Sequence, residues 1–423
     1  MYIRASLCNG IPIVMERMEG IRSVSIGIWV KAGSRYESEN LSGISHFLEH
    51  MFFRGTAKRT SQQIAIEIDS LGGELNAFTT KEFTVFYAKV LDEHSGIAID
   101  ILTDMLTNSL FDESDIEKEK AIITEEIKGA EDTPDEYIYD IFDETTWGRS
   151  GLGQNILGSV DVISTFSKEH LLFYVQHAYC PDNIIISAAG NFDPQKLIDC
   201  FNAYICSYQR NNNRCTVNQN TEFKNQLHVH YKELSEVHLC LGFEALSMAH
   251  EKRYPLYLLN SIAGSGMSSR LFQEIREKRG LAYSIYSFLN SYHDTGIFGV
   301  YVGTRQEQVV NVLELILKEI FQMRYTITDE ELRRAKEHLK GSLMLAMESS
   351  IHRMSNIAKQ EMYMDRYYCI SEVIEAIEGV SLNEIKDVAD KVIKEDCFGL
   401  TVLGPFRPEE EALQHWRWFD TKK

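Results

Sequence analysis

The chain has 423 residues, 44% of them hydrophobic and 25% charged, with a formal net charge of −19 at pH 7. Such a length and balance are typical of a globular protein large enough for two domains with proper cores. The acidic excess argues against nucleic acid as a partner, because phosphate binding needs basic patches. It favours basic ligands, although most of the acid is expected simply to form a solvated surface.

Neither a membrane span nor a secretion signal is predicted. No stretch approaches 18 uncharged apolar residues, and residues 1–10 lack the apolar core of a signal peptide. We therefore predict a cytoplasmic protein. The eight cysteines are scattered without a Cys-x-x-Cys pair, which predicts reduced structural thiols rather than a thiolate metal site or a disulfide framework.

The first half of the chain alternates between the two-residue period of strands and the longer period of helices. Strands are predicted at 12–16, 23–33, 75–78 and 82–90. Helices are predicted at 43–53, 61–71, 93–109 and 112–130. The order predicts a sheet packed with helices.

The second half repeats the first. A helix start and the strand after it at 167–190 correspond, at one fixed offset, to those at 381–404. The polar, aperiodic segment 209–221 is the predicted linker between a domain at 1–212 and a domain at 222–423. This duplication predicts an α+β fold of two homologous domains, each a mostly antiparallel sheet packed with helices.

The predicted helix at 43–53 carries the sequence HFLEH at residues 46–50. On a helix, His46, Glu49 and His50 project from one face. Two neutral imidazoles four residues apart can clamp one zinc ion, and the glutamate then lies beside the metal as a general base. The alternative is a helix whose histidines are solvated or hydrogen-bonded while its apolar residues form core. The corresponding helix of the repeat, at 258–264, lacks the motif, so only the first domain is expected to hold metal.

A third ligand is expected from the acidic helix that follows. Glu119 and Glu126 stand two turns apart and face the same way. Glu125 is rotated by about 100° from Glu126, so only one of this pair can point inward. Spacing alone does not choose between them, and a charged solvent face is the alternative.

The inverted order of the motif resembles that of the inverzincins, the family of pitrilysin, insulin-degrading enzyme and mitochondrial processing peptidase. Residues 43–45, 51–56 and 71–79 look like bacterial relatives of the processing-peptidase beta subunit. The resemblance implies a zinc metalloendopeptidase, with Zn²⁺ as cofactor, that cleaves unfolded peptides or presequence-like segments. It places the third ligand at Glu126, in a Glu-Glu-Ile context, and a supporting acid at Glu119.

The resemblance also implies substrate-binding residues outside the motif. Asn76 and Ala77 fall on the family's edge strand, where an extended peptide adds to the sheet through backbone hydrogen bonds. Arg276 and Tyr283 match an arginine and a tyrosine that bind substrate or transition state from the non-catalytic domain. The residues alone leave other interpretations open, since Arg276 fits a surface charge and Tyr283 fits the core of an aromatic strand at 283–288.

A chain of this length resembles half of the long members of the family. This implies a homodimer, or a heterodimer with a homologous subunit, in which Arg276 and Tyr283 act in trans on an unfolded and preferably basic peptide. The alternative function is a catalytically silent scaffold subunit of a hetero-oligomer, against which the intact motif argues. A non-hydrolytic metalloprotein is disfavoured, because three ligands beside a free glutamate form the hydrolytic arrangement.

Overall fold

The computed structural model describes residues 1–208, 221–364 and 366–405. Its strands are β1 (Tyr2–Ser6), β2 (Pro12–Arg17), β3 (Ser23–Val30), β4 (Glu74–Thr79), β5 (Thr84–Leu91), β6 (Ile184–Gly190), β7 (Leu227–Tyr231), β8 (Val237–Ala245), β9 (Ala282–Ser291), β10 (Gly296–Thr304) and β11 (Gly399–Gly404). Its α-helices are α1 (Ile44–Phe52), α2 (Ser61–Ser70), α3 (Ser95–Asn108), α4 (Glu113–Glu131), α5 (Pro134–Trp147), α6 (Val160–Ser164), α7 (Lys168–Ala178), α8 (Pro194–Ile205), α9 (Arg253–Ala263), α10 (Val309–Thr326), α11 (Asp329–Ala346), α12 (Ser350–Tyr363), α13 (Ile370–Gly379) and α14 (Leu382–Val392). In this part of the chain, none of the helices has the length and apolar character that crossing a membrane requires.

The first compact unit contains the described parts of 1–129, 150–220 and 345–367. Its sheet has the order β1-β2-β6-β3-β5-β4, in which β2 and β6 are parallel and the other neighbours are antiparallel. Both faces are covered: Ile26 and Ile28 point into the core that includes α1 and α3, whereas Trp29 points into the core formed with α12. Burial on both faces explains why β3 is apolar almost throughout.

The second compact unit contains the described parts of 130–149, 221–344 and 368–423. Its sheet has the order β7-β11-β8-β10-β9, with β7 and β11 parallel. This is the pattern of β2-β6-β3-β5-β4 in the first unit, strand for strand. The predicted α+β fold, with a repeated and mostly antiparallel sheet, is confirmed.

The observed units differ at two segments from the predicted division into domains 1–212 and 222–423. Residues 130–149, which contain α5, belong to the second unit, and residues 345–367, which contain α12, belong to the first. A helical pattern reveals an apolar face but does not say which sheet will cover it. The predicted linker lies outside the described residues except for its last residue, Thr221.

The expectation that every cysteine is a reduced thiol is wrong at two positions. Cys8 and Cys206 form a disulfide with a Cα to Cα distance of 5.7 Å, which joins the turn after β1 to the end of α8. The two cysteines are 198 residues apart in the sequence, so no local spacing indicates the pair.

Candidate metal centre

The helix that carries the motif is α1, which confirms the helix predicted at 43–53 to within a residue at each end. Its apolar face is fully buried and contains Ile44, Phe47, Leu48 and Met51. This packing fixes the orientation of the opposite face of the helix, where the histidines lie. His46 is only 8% exposed, and the ring centroids of His46 and His50 are 4.6 Å apart.

Glu126 on α4 completes a group of three possible metal ligands. One atom each from His46, His50 and Glu126 lie within 4.8 Å of one another. Glu126 Oε2 is 3.8 Å from His46 Nε2 and 3.7 Å from His50 Nε2, so both rings present the same nitrogen. The Glu126 side chain is 44% exposed, which leaves the centre open on that side.

Glu119 supports this group from within the protein. It is fully buried, and its Oε2 lies 3.1 Å from His50 Nδ1, while Arg54 Nε donates to its Oε1. A carboxylate at Nδ1 holds the proton there and leaves Nε2 as the free nitrogen, which is the usual arrangement of a metal-binding histidine. Arg54 was not predicted from the sequence, although its position four residues after His50 was a usable signal.

Glu49 lies beside the three ligands without being one of them. Its Oε2 accepts a hydrogen bond of 2.5 Å from Thr79 Oγ1 on β4. Thr79 was also not predicted, because its contact depends on how β4 packs against α1, which no sequence spacing shows. An open cavity of about 340 Å³ lies here, and Glu49, Asn76 and Ala77 are among the residues that line it.

The pKa values of His46, His50 and Glu49 differ with their surroundings. Burial, and to a smaller extent the neighbouring His50, lowers the pKa of His46 to about 4, so His46 is neutral at pH 7. Burial also lowers the pKa of His50, but the hydrogen bond and charge of Glu119 outweigh this and raise it. Burial raises the pKa of Glu49 against the opposing hydrogen bond from Thr79, which suits a general base.

The donors fit a zinc ion. Two imidazole nitrogens and one carboxylate oxygen are a donor set that Zn²⁺ takes in hydrolytic sites, where a fourth position stays open. His46 is buried and neutral at pH 7, and its Nε2 faces Glu126 Oε2, so this nitrogen is available as a metal ligand.

Asn76 and Ala77 lie on β4, which forms the edge of the first sheet. The backbone N–H of Thr80 donates to the carbonyl oxygen of Phe83, and successive residues of a strand direct their backbone groups to opposite sides. Ala77, three residues before Thr80, therefore directs its N–H to the free edge, where it donates to Asn76 Oδ1 at 2.8 Å.

Arg276 and Tyr283 lie in the second unit and contact each other. Arg276 is in a π-helical turn, Phe272–Glu277, and its guanidinium carbon lies 5.3 Å from the centroid of the Tyr283 ring. Tyr283 is 79% exposed, so it is a surface residue of β9 and not part of the core.

The family models match most of the chain. The model described as insulinase, peptidase family M16, matches residues 12–160, and the model described as the peptidase M16 inactive domain matches residues 165–339. The chain belongs to peptidase family M16. This confirms the family resemblance that the sequence showed.

Relatives of this M16 chain match over almost its whole length. An uncharacterized zinc protease of Bacillus subtilis, YmxG, is 41% identical and covers 96% of the chain and 98% of its own length. An uncharacterized zinc protease of Streptomyces coelicolor is 35% identical, over 97% of the chain and 91% of its own length. Among solved structures, a protease from Helicobacter pylori shares the fold with a TM-score of 0.89 at 20% identity, covering 96% of this chain and 99% of its own.

Proposed function

We propose that this M16 protein is a zinc-dependent endopeptidase that cleaves unfolded peptides or presequence-like segments. The observation that supports the proposal most strongly is the convergence of His46, His50 and Glu126, with Glu49 beside them and outside the ligand group. Bound there, Zn²⁺ would lower the pKa of a coordinated water toward about 7 and polarise the scissile carbonyl.

Glu49 is the general base in this proposal. Because Oε2 accepts from Thr79, we assign to Oε1 the proton taken from the attacking water. The same carboxyl then passes that proton to the leaving amine, a transfer for which its raised pKa is suited. Glu119 holds the proton on His50 Nδ1, and Arg54 holds Glu119.

The substrate is placed along β4. Because β4 is an edge strand, an extended peptide can pair with its free backbone groups, and the N–H of Ala77 becomes available when the side chain of Asn76 turns away. Backbone pairing requires an unfolded, extended segment and does not depend on the identity of its side chains. The net charge of −19 favours basic segments over acidic ones.

Arg276 and Tyr283 complete the proposal as residues that bind the substrate from a second copy of the chain or from a homologous subunit. Their mutual contact and the high exposure of Tyr283 are consistent with a pair that binds a ligand. Mixed dimers of Glu49→Gln and Arg276→Ala chains should recover activity. In such a dimer, the intact Glu49 of one chain is served by the intact Arg276 of the other. No recovery would mean that Arg276 serves Glu49 of its own chain.

The cytoplasmic location stays a prediction. The disulfide between Cys8 and Cys206 counts against it, because disulfides are rare in cytosolic proteins.

The proposed activity is tested with a mixture of unstructured peptides, some basic and some acidic, and cleavage is mapped by mass spectrometry. The wild type should cut, and it should stop after zinc is removed with a chelator and resume after zinc is restored. Glu49→Gln should not cut under any of these conditions. Cleavage by Glu49→Gln at the wild-type rate would contradict the proposal.

A further inference from the structure

The helix that carries both histidines begins inside the protein and has no cap of its own. Its first residues, Ile44 and Ser45, are fully buried, and the N-cap residue is Gly43, which has no side chain to accept a hydrogen bond. The first four N–H groups of any α-helix lack partners within the helix, and here no water can reach them. Another segment must therefore supply the acceptors.

Gly43 cannot be replaced by an ordinary capping residue. Its φ is 91°, in the left-handed region, and a Cβ at this position would lie 2.7 Å from the carbonyl oxygen of Leu157. A serine or aspartate at the N-cap would collide with this backbone. Because Gly43 lies so close to the backbone of Leu157, the helix cannot be capped by a side chain at its own N-cap residue.

Glu37 supplies two of the missing acceptors from outside the helix. Its Oε2 accepts from the N–H of Gly43 at 2.7 Å, and its Oε1 accepts from the N–H of Ser45 at 2.8 Å. Both carboxyl oxygens are thus used on the first turn of α1, directly before His46. A negative charge at a helix N-terminus is also favourable to the helix dipole.

The position of Glu37 is itself fixed. Its side chain is fully buried, and its carbonyl oxygen accepts from Gln154 Nε2 at 3.2 Å. Lys81 donates to the carbonyl oxygen of Gln154 at 2.7 Å. Burial raises the pKa of Glu37, and the hydrogen bonds from Ser45 and Gly43 and the charge of Lys81 oppose that rise. A buried carboxyl group with this many fixed neighbours has few alternative positions.

We infer that Glu37 is a positioning residue of the metal centre, which sets the axial position and rotation of α1 so that His46 and His50 meet Glu126. The inference rests on the proposed zinc site. Among the described residues, Glu37 makes no hydrogen bond or ion pair with a side chain of the metal ligands or with Glu49, so it acts through the helix. A shift of α1 by a fraction of an ångström moves both imidazoles together relative to the carboxylate on α4. The expected consequence is a weaker zinc site in a protein that is still folded.

The test compares zinc affinity in Glu37→Gln, Glu37→Asp and the wild type at pH 8, by competition with a chromophoric chelator. Gln keeps the size of the side chain but turns an NH₂ group toward a backbone N–H, and Asp keeps the charge but is too short to reach both donors. We expect zinc to bind about 10-fold more weakly in Glu37→Gln, with a smaller loss in Glu37→Asp. The absorption spectrum of the Co²⁺ form should change in both variants, because it reports the geometry of the ligands.

The matched control is Glu39→Gln, the same substitution two residues away at an exposed position, which should bind zinc like the wild type. If Glu37→Gln does not fold, Glu37→Asp provides the comparison. A variant with a lower melting temperature but unchanged zinc affinity and Co²⁺ spectrum would overturn the inference and leave Glu37 with a purely structural role. Failure of the wild type itself to bind zinc would instead refute the proposed function.

Discussion

Replacing Glu119 by glutamine should weaken zinc binding without unfolding the protein. The wild-type carboxylate lies 3.1 Å from His50 Nδ1 and accepts from Arg54, and its side chain is only 1% exposed. The amide of the substituted side chain would keep one carbonyl oxygen, so one of these two donors would face an NH₂ group. Burial raises the pKa of Glu119, but the hydrogen bonds from His50 and Arg54 outweigh that effect and lower it, so the charged form is the one removed.

The size of the effect follows from the bond that is lost. A hydrogen bond involving a charged group contributes about 1.5–3 kcal/mol, which corresponds to about a 10- to 100-fold change in an equilibrium constant. Loss of a group that orients a metal ligand has an effect of the same order. The zinc dissociation constant of Glu119→Gln should therefore rise by about one to two orders of magnitude.

The assay is chelator competition on the folded protein, with the melting temperature measured in parallel. Glu117→Gln is the matched control, because Glu117 lies on the same helix with its side chain 70% exposed and paired with Lys120. It should bind zinc like the wild type. If Glu119→Gln bound zinc within twofold of the wild type, the contact with His50 would have no role in the metal centre.

Three other residues, Thr79, Glu126 and Glu37, have separate testable roles. Thr79→Val removes the hydroxyl that donates to Glu49 and should lower kcat by about 10-fold or more with zinc content unchanged. Thr79→Ser keeps the hydroxyl and should retain most of the activity. Equal rates in the two variants would contradict this role of Thr79. Glu126→Gln should lose zinc in metal analysis and Glu125→Gln should keep it, since the Glu125 side chain is 73% exposed and pairs with Lys128; the reverse result would reassign the ligand. Burial raises the pKa of Glu37 from an ordinary 4.5 to about 7, so the folded protein binds a proton at Glu37 more tightly than the unfolded chain does. The stability that this proton contributes is lost as the pH rises from 4.5 through 7. Over that range the free energy of unfolding should fall by about 3 kcal/mol more in the wild type than in Glu37→Gln, as measured by urea denaturation, and parallel pH profiles would refute the burial of a titrating Glu37.

The sequence predicted the parts of the site that depend on local periodicity. Positions 46, 49 and 50 share a helix face by geometry alone, and the structure places both imidazoles at the same point. The choice of Glu126 over Glu125 came from the family resemblance, and the structure brings Glu126 to the histidines while Glu125 pairs with Lys128. Local spacing is informative here because a helix fixes the relative direction of its own side chains.

The contacts that depend on tertiary packing were not predictable in this way. Thr79 reaches Glu49 only because β4 lies against α1, and Glu37 reaches the start of α1 across a loop. The disulfide joins Cys8 and Cys206, which are 198 residues apart in the sequence. None of these pairs has a fixed spacing that a helix or strand would impose.

The sequence also does not show that α5 belongs to the second unit and α12 to the first. Phe142 on α5 packs against glycines of β8 and β11, and Met354 on α12 packs against Trp29. Each helix shows an apolar face in the sequence, but apolar faces are interchangeable between two similar sheets. Which sheet receives which helix is therefore decided by packing in the folded chain.

In the proposed centre, His46, His50 and Glu126 bind catalytic zinc while Glu49 takes no part in binding. The most direct test is the zinc content per chain, by mass spectrometry of the metal, in the wild type, Glu49→Gln and His50→Ala. We expect one zinc per chain in the wild type and in Glu49→Gln, and none in His50→Ala. Full zinc in His50→Ala, or its loss in Glu49→Gln, would contradict it.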